Sequence, residues 1–115
     1  MSEIPDSLKV ALDGLRALGG DGLVRQMAGV FIEHSAGRVT ALQDALDADD
    51  VPGAAAVAHT LKGSSRQLGL SELADACLEV EQACKRGDVA AARTLAAAVH
   101  ETYTVAAALL RVATA

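Results

Sequence analysis

His59 stands in unusual company for a helical histidine. Ala54, Val57, Ala58, Leu61, Ser65 and Leu68 recur at steps of three and four. At about 100° per residue that spacing gathers them on one face of a helix. The face must bury, and His59 points away from its centre, toward water. Ala55 and Ala56 lie one turn before it and Lys62 and Gly63 one turn after, with Arg66 two turns after. A solvated helix face ordinarily carries long polar side chains at such positions. Here small residues leave the imidazole protruding and allow another protein to approach the backbone. Gly63 weakens the helix by about 1 kcal/mol relative to alanine, a loss that a close-fitting partner would offset. Lys62 and Arg66 bring positive charge beside any anion formed on the ring. Near neutral pH imidazole keeps a free nitrogen lone pair and is a competent nucleophile. Together these features fit a transient N-phosphoryl group on His59, with Lys62 stabilising the phosphate. Ala55, Ala56, Gly63 and Arg66 are expected to form the surface that meets a partner.

The other reactive side chains read more plainly. His34 and His100 have no metal-ligating partner at i+3 or i+4, so they are expected to be surface or partly packed residues, and no metal site is expected. Cys77 and Cys84 fall two turns apart on one inward stripe, more than about 7 Å along a helix axis, which suits small core residues and not a disulfide. Ser64 and Ser65 have no acid–base pair to activate them as nucleophiles. No glycine-rich phosphate loop is present. An ATP-using kinase is therefore excluded. Phosphoryl transfer needs positioning and charge stabilisation, commonly with a metal, and one exposed histidine cannot supply all of it. That apparatus must come from a partner.

The elements that position His59 follow from hydrophobic period. Leu8, Leu12, Leu15 and Leu18 mark a short first helix after Pro5-Asp6, ended by Gly19-Gly20. Asp21 is placed to cap a second, along which Val24, Ala28, Phe31, Ser35, Val39, Leu42 and Leu46 form one stripe. Asp49-Asp50-Val51-Pro52 breaks the chain and starts the third helix, which carries His59 and stops at Gly69. Ser71 is placed to cap a fourth, with Leu73, Cys77, Val80 and Cys84 inward, ending at Lys85-Arg86-Gly87. Asp88 caps a fifth, whose inward stripe includes Val89, Ala92, Leu95, Val99, Ala106 and Leu110. Short connections between long amphipathic helices imply an all-α, antiparallel up-down four-helix bundle, with the short N-terminal helix added at one end.

Composition agrees. Apolar residues make up 51% and aromatics 2%, so the core is aliphatic and alanine-rich, which favours helix. A length of 115 residues implies a single domain over 1–115. The net charge of −5 argues against nucleic acid and against an anionic membrane surface. No apolar run reaches the length of a membrane span, and Met1-Ser2-Glu3-Ile4-Pro5 lacks a signal pattern, so a cytoplasmic location with reduced cysteines is expected. Abundant alanine suggests a bacterium with a GC-rich genome.

Ala58-His59-Thr60-Leu61-Lys62-Gly63-Ser64-Ser65, followed by Leu68-Gly69, closely resembles the signature of histidine-containing phosphotransfer (HPt) domains of two-component phosphorelays. Phe31 followed by an acidic residue, Leu42 to Leu46, Asp49-Asp50, Leu73, Cys77 and Glu79 also look like that family's pattern, over roughly residues 20 to 86. The resemblance implies a phosphocarrier without autonomous kinase activity. It would exchange a phosphoryl group reversibly between His59 and the aspartate of receiver domains in response regulators or hybrid sensor kinases. It adds Ser64 to the surface expected to meet a partner. It implies no cofactor on this chain and magnesium in the partner receiver. It also implies a polar group near the histidine from another helix, which the residues alone do not identify. A free-standing monomer is the simplest expectation. Two alternatives stay open: a binding adaptor that uses the same patch without chemistry, and a sink that drains phosphate from a relay.

Overall fold

The computed structural model describes residues 4–115, and they are all-helical, with no strand among them. Helix α1 spans Asp6–Asp47, α2 Val51–Gln67, α3 Ser71–Lys85 and α4 Val89–Ala113. Each helix packs on the next, and α4 returns to α1. Among the described residues, no helix is long and apolar enough to cross a membrane.

The first two helices expected from the sequence run together as α1, with a kink at Gly20, where φ is 71° and ψ −169°. A side chain is strained at that φ, so glycine is what lets the axis turn there. Asp21 does not cap the segment beyond the kink. Its carboxylate accepts a hydrogen bond from Arg16 Nε at 2.7 Å, and the same guanidinium reaches Asp13. Leu8 and Leu12 are buried and Leu15 is half-buried, but Leu18 is 83% exposed. Successive steps of three fall short of a full turn, so by Leu18 the stripe has drifted well off the core face.

Beyond the kink the stripe Val24, Ala28, Phe31, Ser35, Val39, Leu42 and Leu46 is buried throughout. The Asp88 carboxylate accepts the Ala91 N–H at 3.1 Å and caps α4 as its position predicts, and Asp50 likewise accepts the Gly53 N–H at 3.0 Å and caps α2. Ser71 does not cap α3. Leu70 precedes the helix without a side-chain cap, while the Ser71 hydroxyl donates to Ser7 Oγ, whose own hydroxyl donates to the Gly69 carbonyl. Gly69 has φ +69°, and a Cβ there would run into the Ser7 carbonyl, so α1 seals the α2–α3 turn only over a glycine. On α4, Ala92, Val99, Ala106 and Leu110 are buried, whereas Val89 and Leu95 are half-buried. The Tyr103 hydroxyl donates to the Ile32 carbonyl at 2.8 Å and ties α4 to α1.

Candidate functional site

Helix α2 turns its apolar stripe inward, with Ala54, Ala58, Leu61 and Ser65 buried. By rotation alone His59 is then carried outward, and its side chain is 68% exposed. One ring edge is nevertheless engaged. His59 Nδ1 lies 2.9 Å from Glu81 Oε2, on α3. Lys62 Nζ donates to the other carboxylate oxygen, Oε1, at 2.5 Å. Lys85 Nζ stands 3.5 Å from Oε2.

Glu81 is itself buried. The hydrogen bond from Lys62 holds its carboxyl down at about 2, against the upward push of burial, with further help from His59 and from the charges of Lys62 and Lys85. At neutral pH Glu81 is therefore an anion, and an ionised carboxylate only accepts hydrogen bonds. The 2.9 Å contact then requires the hydrogen on Nδ1. In the neutral form of the ring the lone pair is then on Nε2, the nitrogen turned away from Glu81. A neutral imidazole with a fixed tautomer and an open nucleophilic nitrogen can accept an electrophilic group. The positive charge that forms on the ring is met by Glu81.

The expected site residues divide. His59 and Gly63 share the exposed face of α2. A Cβ on Gly63 would meet nothing within 4 Å among the described residues, so their packing does not demand glycine there. Ala56 is exposed, while Ala55 is half-buried and packs against the core, a correction to its assignment to the free face. Lys62 is not an outward cation either: its side chain is 12% exposed and is spent on Glu81. Ser64 donates to the Thr60 carbonyl and accepts from Arg38 Nη1 at 3.4 Å, which places a cation of α1 beside α2. The Arg66 side chain is exposed and makes no hydrogen bond or ion pair among the described residues, so nothing draws it to the ring.

Glu81 is the residue that sequence reasoning missed. Glu79, which looks like part of the family pattern, is exposed and two positions away. The signal was present: Glu81 follows Cys77 by four and precedes Cys84 by three, within a stripe that must bury. A carboxylate there needs a cationic partner.

The remaining candidates lie elsewhere. Cys77 and Cys84 are free and buried, and burial pushes the Cys77 thiol up to about 12. His100 is exposed. His34 lines an apolar groove of about 420 Å³ between α1 and α2, with Met27, Val30, Phe31 and Leu68. Among the described residues no cluster of three or more histidine, cysteine or acidic side chains could hold a metal ion.

A profile of the Hpt domain matches residues 26–113, well over half of the chain, and the chain belongs to that family. The chain is also similar to histidine-containing phosphotransfer protein B (HptB) from Pseudomonas aeruginosa PAO1. The two agree with a TM-score of 0.86 and 25% sequence identity, over 96% of this chain and 93% of that crystal structure's chain. No curated protein sequence matches the chain. Family membership makes histidine phosphotransfer in a two-component phosphorelay the activity class, and the chain a phosphocarrier that works with receiver domains.

Proposed function

We propose that His59 is the phosphorylated residue and that the chain shuttles phosphoryl groups between the aspartates of receiver domains, in response regulators or hybrid sensor kinases. The observation that carries this reading is the contact of Nδ1 with Glu81 Oε2 at 2.9 Å on a ring whose side chain is 68% exposed. Nε2 attacks the phosphorus of an aspartyl phosphate. The N–P bond forms as the P–O bond breaks, and the aspartate carboxylate leaves with the electron pair. No proton is lost, because Nδ1–H stays shared with Glu81, whose charge balances the imidazolium. The reverse step reloads a second aspartate. The receiver supplies the magnesium, and this chain supplies a positioned nucleophile without kinase activity of its own.

Lys62 contributes its charge from a fixed place beside Glu81. Gly63 and Ala56 keep the approach to the ring clear, with Ser64 and Arg66 at the margin of the contact. We read the helices as an antiparallel up-down bundle, residues 6–19 being the added N-terminal helix and 1–115 one phosphotransfer domain. It acts as a cytoplasmic monomer.

The test is incubation with a receiver domain carrying radiolabelled phosphate. Acid-labile, base-stable label should appear on the wild-type chain and not on His59→Gln. Label that survives the substitution ends the proposal. Binding to the receiver with no label on the wild type would instead favour an adaptor.

A further inference from the structure

The two lysines at Glu81 are held very differently. Lys62 Nζ is bound to Oε1 at 2.5 Å, and its side chain is 12% exposed. Lys85 Nζ stands 3.5 Å from Oε2, the oxygen that also takes the His59 Nδ1–H, and its side chain is 70% exposed. They also flank the ring. The connection at residues 68–70 turns α3 back along α2. Lys62, after His59 on α2, lies toward that connection. Lys85, one turn past Glu81 on α3, lies toward the opposite end.

A phosphoryl group on Nε2 is a dianion on the side of the ring away from Glu81. A cation that meets it must move outward. If Lys62 moved, it would take a charge-assisted hydrogen bond from a carboxylate that is 5% exposed, leaving a buried charge short of compensation. Lys85 gives up only a loose contact at the edge of hydrogen-bond range. Its flexible stem is already in water, so movement requires no repacking.

We propose that Lys85 is the mobile cation of the site. It leaves Glu81 and closes on the phosphoryl oxygens when His59 is loaded, while Lys62 stays pinned and acts through Glu81. Lys85 donates hydrogen bonds and transfers no proton, so the bonds made and broken at phosphorus are unchanged. The inference rests on the reading of His59 as the phosphorylated residue. The competing role for Lys85 is purely local: a cation in the last turn of α3 complements the helix dipole. That role would change melting and leave the loaded state untouched.

The experiment uses the full chain as wild type, Lys85→Gln and Lys85→Arg, each loaded from a phosphorylated receiver domain. It reads the equilibrium share of label on histidine, the half-life of the phosphohistidine and the thermal midpoint. Lys85→Gln should shift the histidine–aspartate equilibrium about tenfold toward the receiver, the size of one charge-assisted hydrogen bond, and shorten the half-life. Its midpoint should not move, and Lys85→Arg should restore most of the share. Wild-type equilibrium and half-life in Lys85→Gln, with labelling abolished in His59→Gln, overturns the Lys85 assignment and leaves phosphotransfer standing. A loss that tracks a lowered midpoint and is not rescued by arginine overturns it equally. A wild-type chain that takes no acid-labile label overturns both readings together.

Discussion

Replacing Gly63 by alanine should push stability and transfer in opposite directions. Gly63 lies mid-helix on α2, and a Cβ there meets nothing within 4 Å. No internal contact is therefore damaged, and the helix recovers the backbone entropy that glycine forfeits, about 1 kcal/mol. For a chain of this size that raises the thermal midpoint by about 4 °C. The same methyl projects from the outward face one turn after His59, where a receiver must bring its aspartyl phosphate to Nε2. A displacement of about 1 Å between reacting atoms can lower a rate about 100-fold, so transfer should slow by at least about tenfold. Chemical denaturation and rapid-quench transfer of radiolabel, run on the same preparations, give the two readings. Greater stability with undiminished transfer would refute the clearance argument. Lower stability would refute the premise that the space beside Gly63 is open.

Other perturbations test the support beneath the ring. Glu81→Gln offers one acceptor oxygen where two donors, His59 Nδ1–H and Lys62 Nζ, now bind; its amide must face the other donor. Stability should fall by about 2 kcal/mol and loading of His59 should slow by about tenfold, in denaturant titration and label uptake. In the wild type the Glu81 carboxyl is depressed from 4.5 to about 2, so the native state holds fewer protons than the unfolded chain between those values. Its contribution to stability should be complete above about pH 4.5 and be lost as pH falls toward 2. Unfolding curves across that window should be flatter for Glu81→Gln, and an unchanged acid limb would sink the linkage. Ser35 Oγ is buried with no hydrogen-bond partner among the described residues, so Ser35→Ala should raise stability by about 1 kcal/mol, measured by the denaturation midpoint. Asp50→Ala removes the cap on Gly53 N–H and should lower stability by about 1 kcal/mol in the same assay.

Local physics along the chain was enough to place the helices and the ring. The long stripe from Val24 to Leu46, the breaks at Asp49-Asp50, Gly69 and Gly87, and the caps at Asp50 and Asp88 all answer to period and to backbone groups a few residues away. His59 points outward for the same reason, since burying the stripe through Ala58 and Leu61 leaves the opposite face no choice. Where separate segments of the chain meet, this logic weakens: Leu18 lies off its stripe, and Ser71, the first residue of α3, bonds Ser7 instead of capping its own helix.

The chemistry at the ring belongs to another order of information. Glu81 lies 22 residues from His59 and 19 from Lys62, and no local rule pairs them. Only the docking of α3 on α2 puts a buried carboxylate under the imidazole, which selects the tautomer and frees Nε2. The same docking turns Lys62 from a solvated cation into a held one. Helix register is written in neighbours, whereas the protonation state of a ring depends on charges that tertiary contact brings within hydrogen-bond reach.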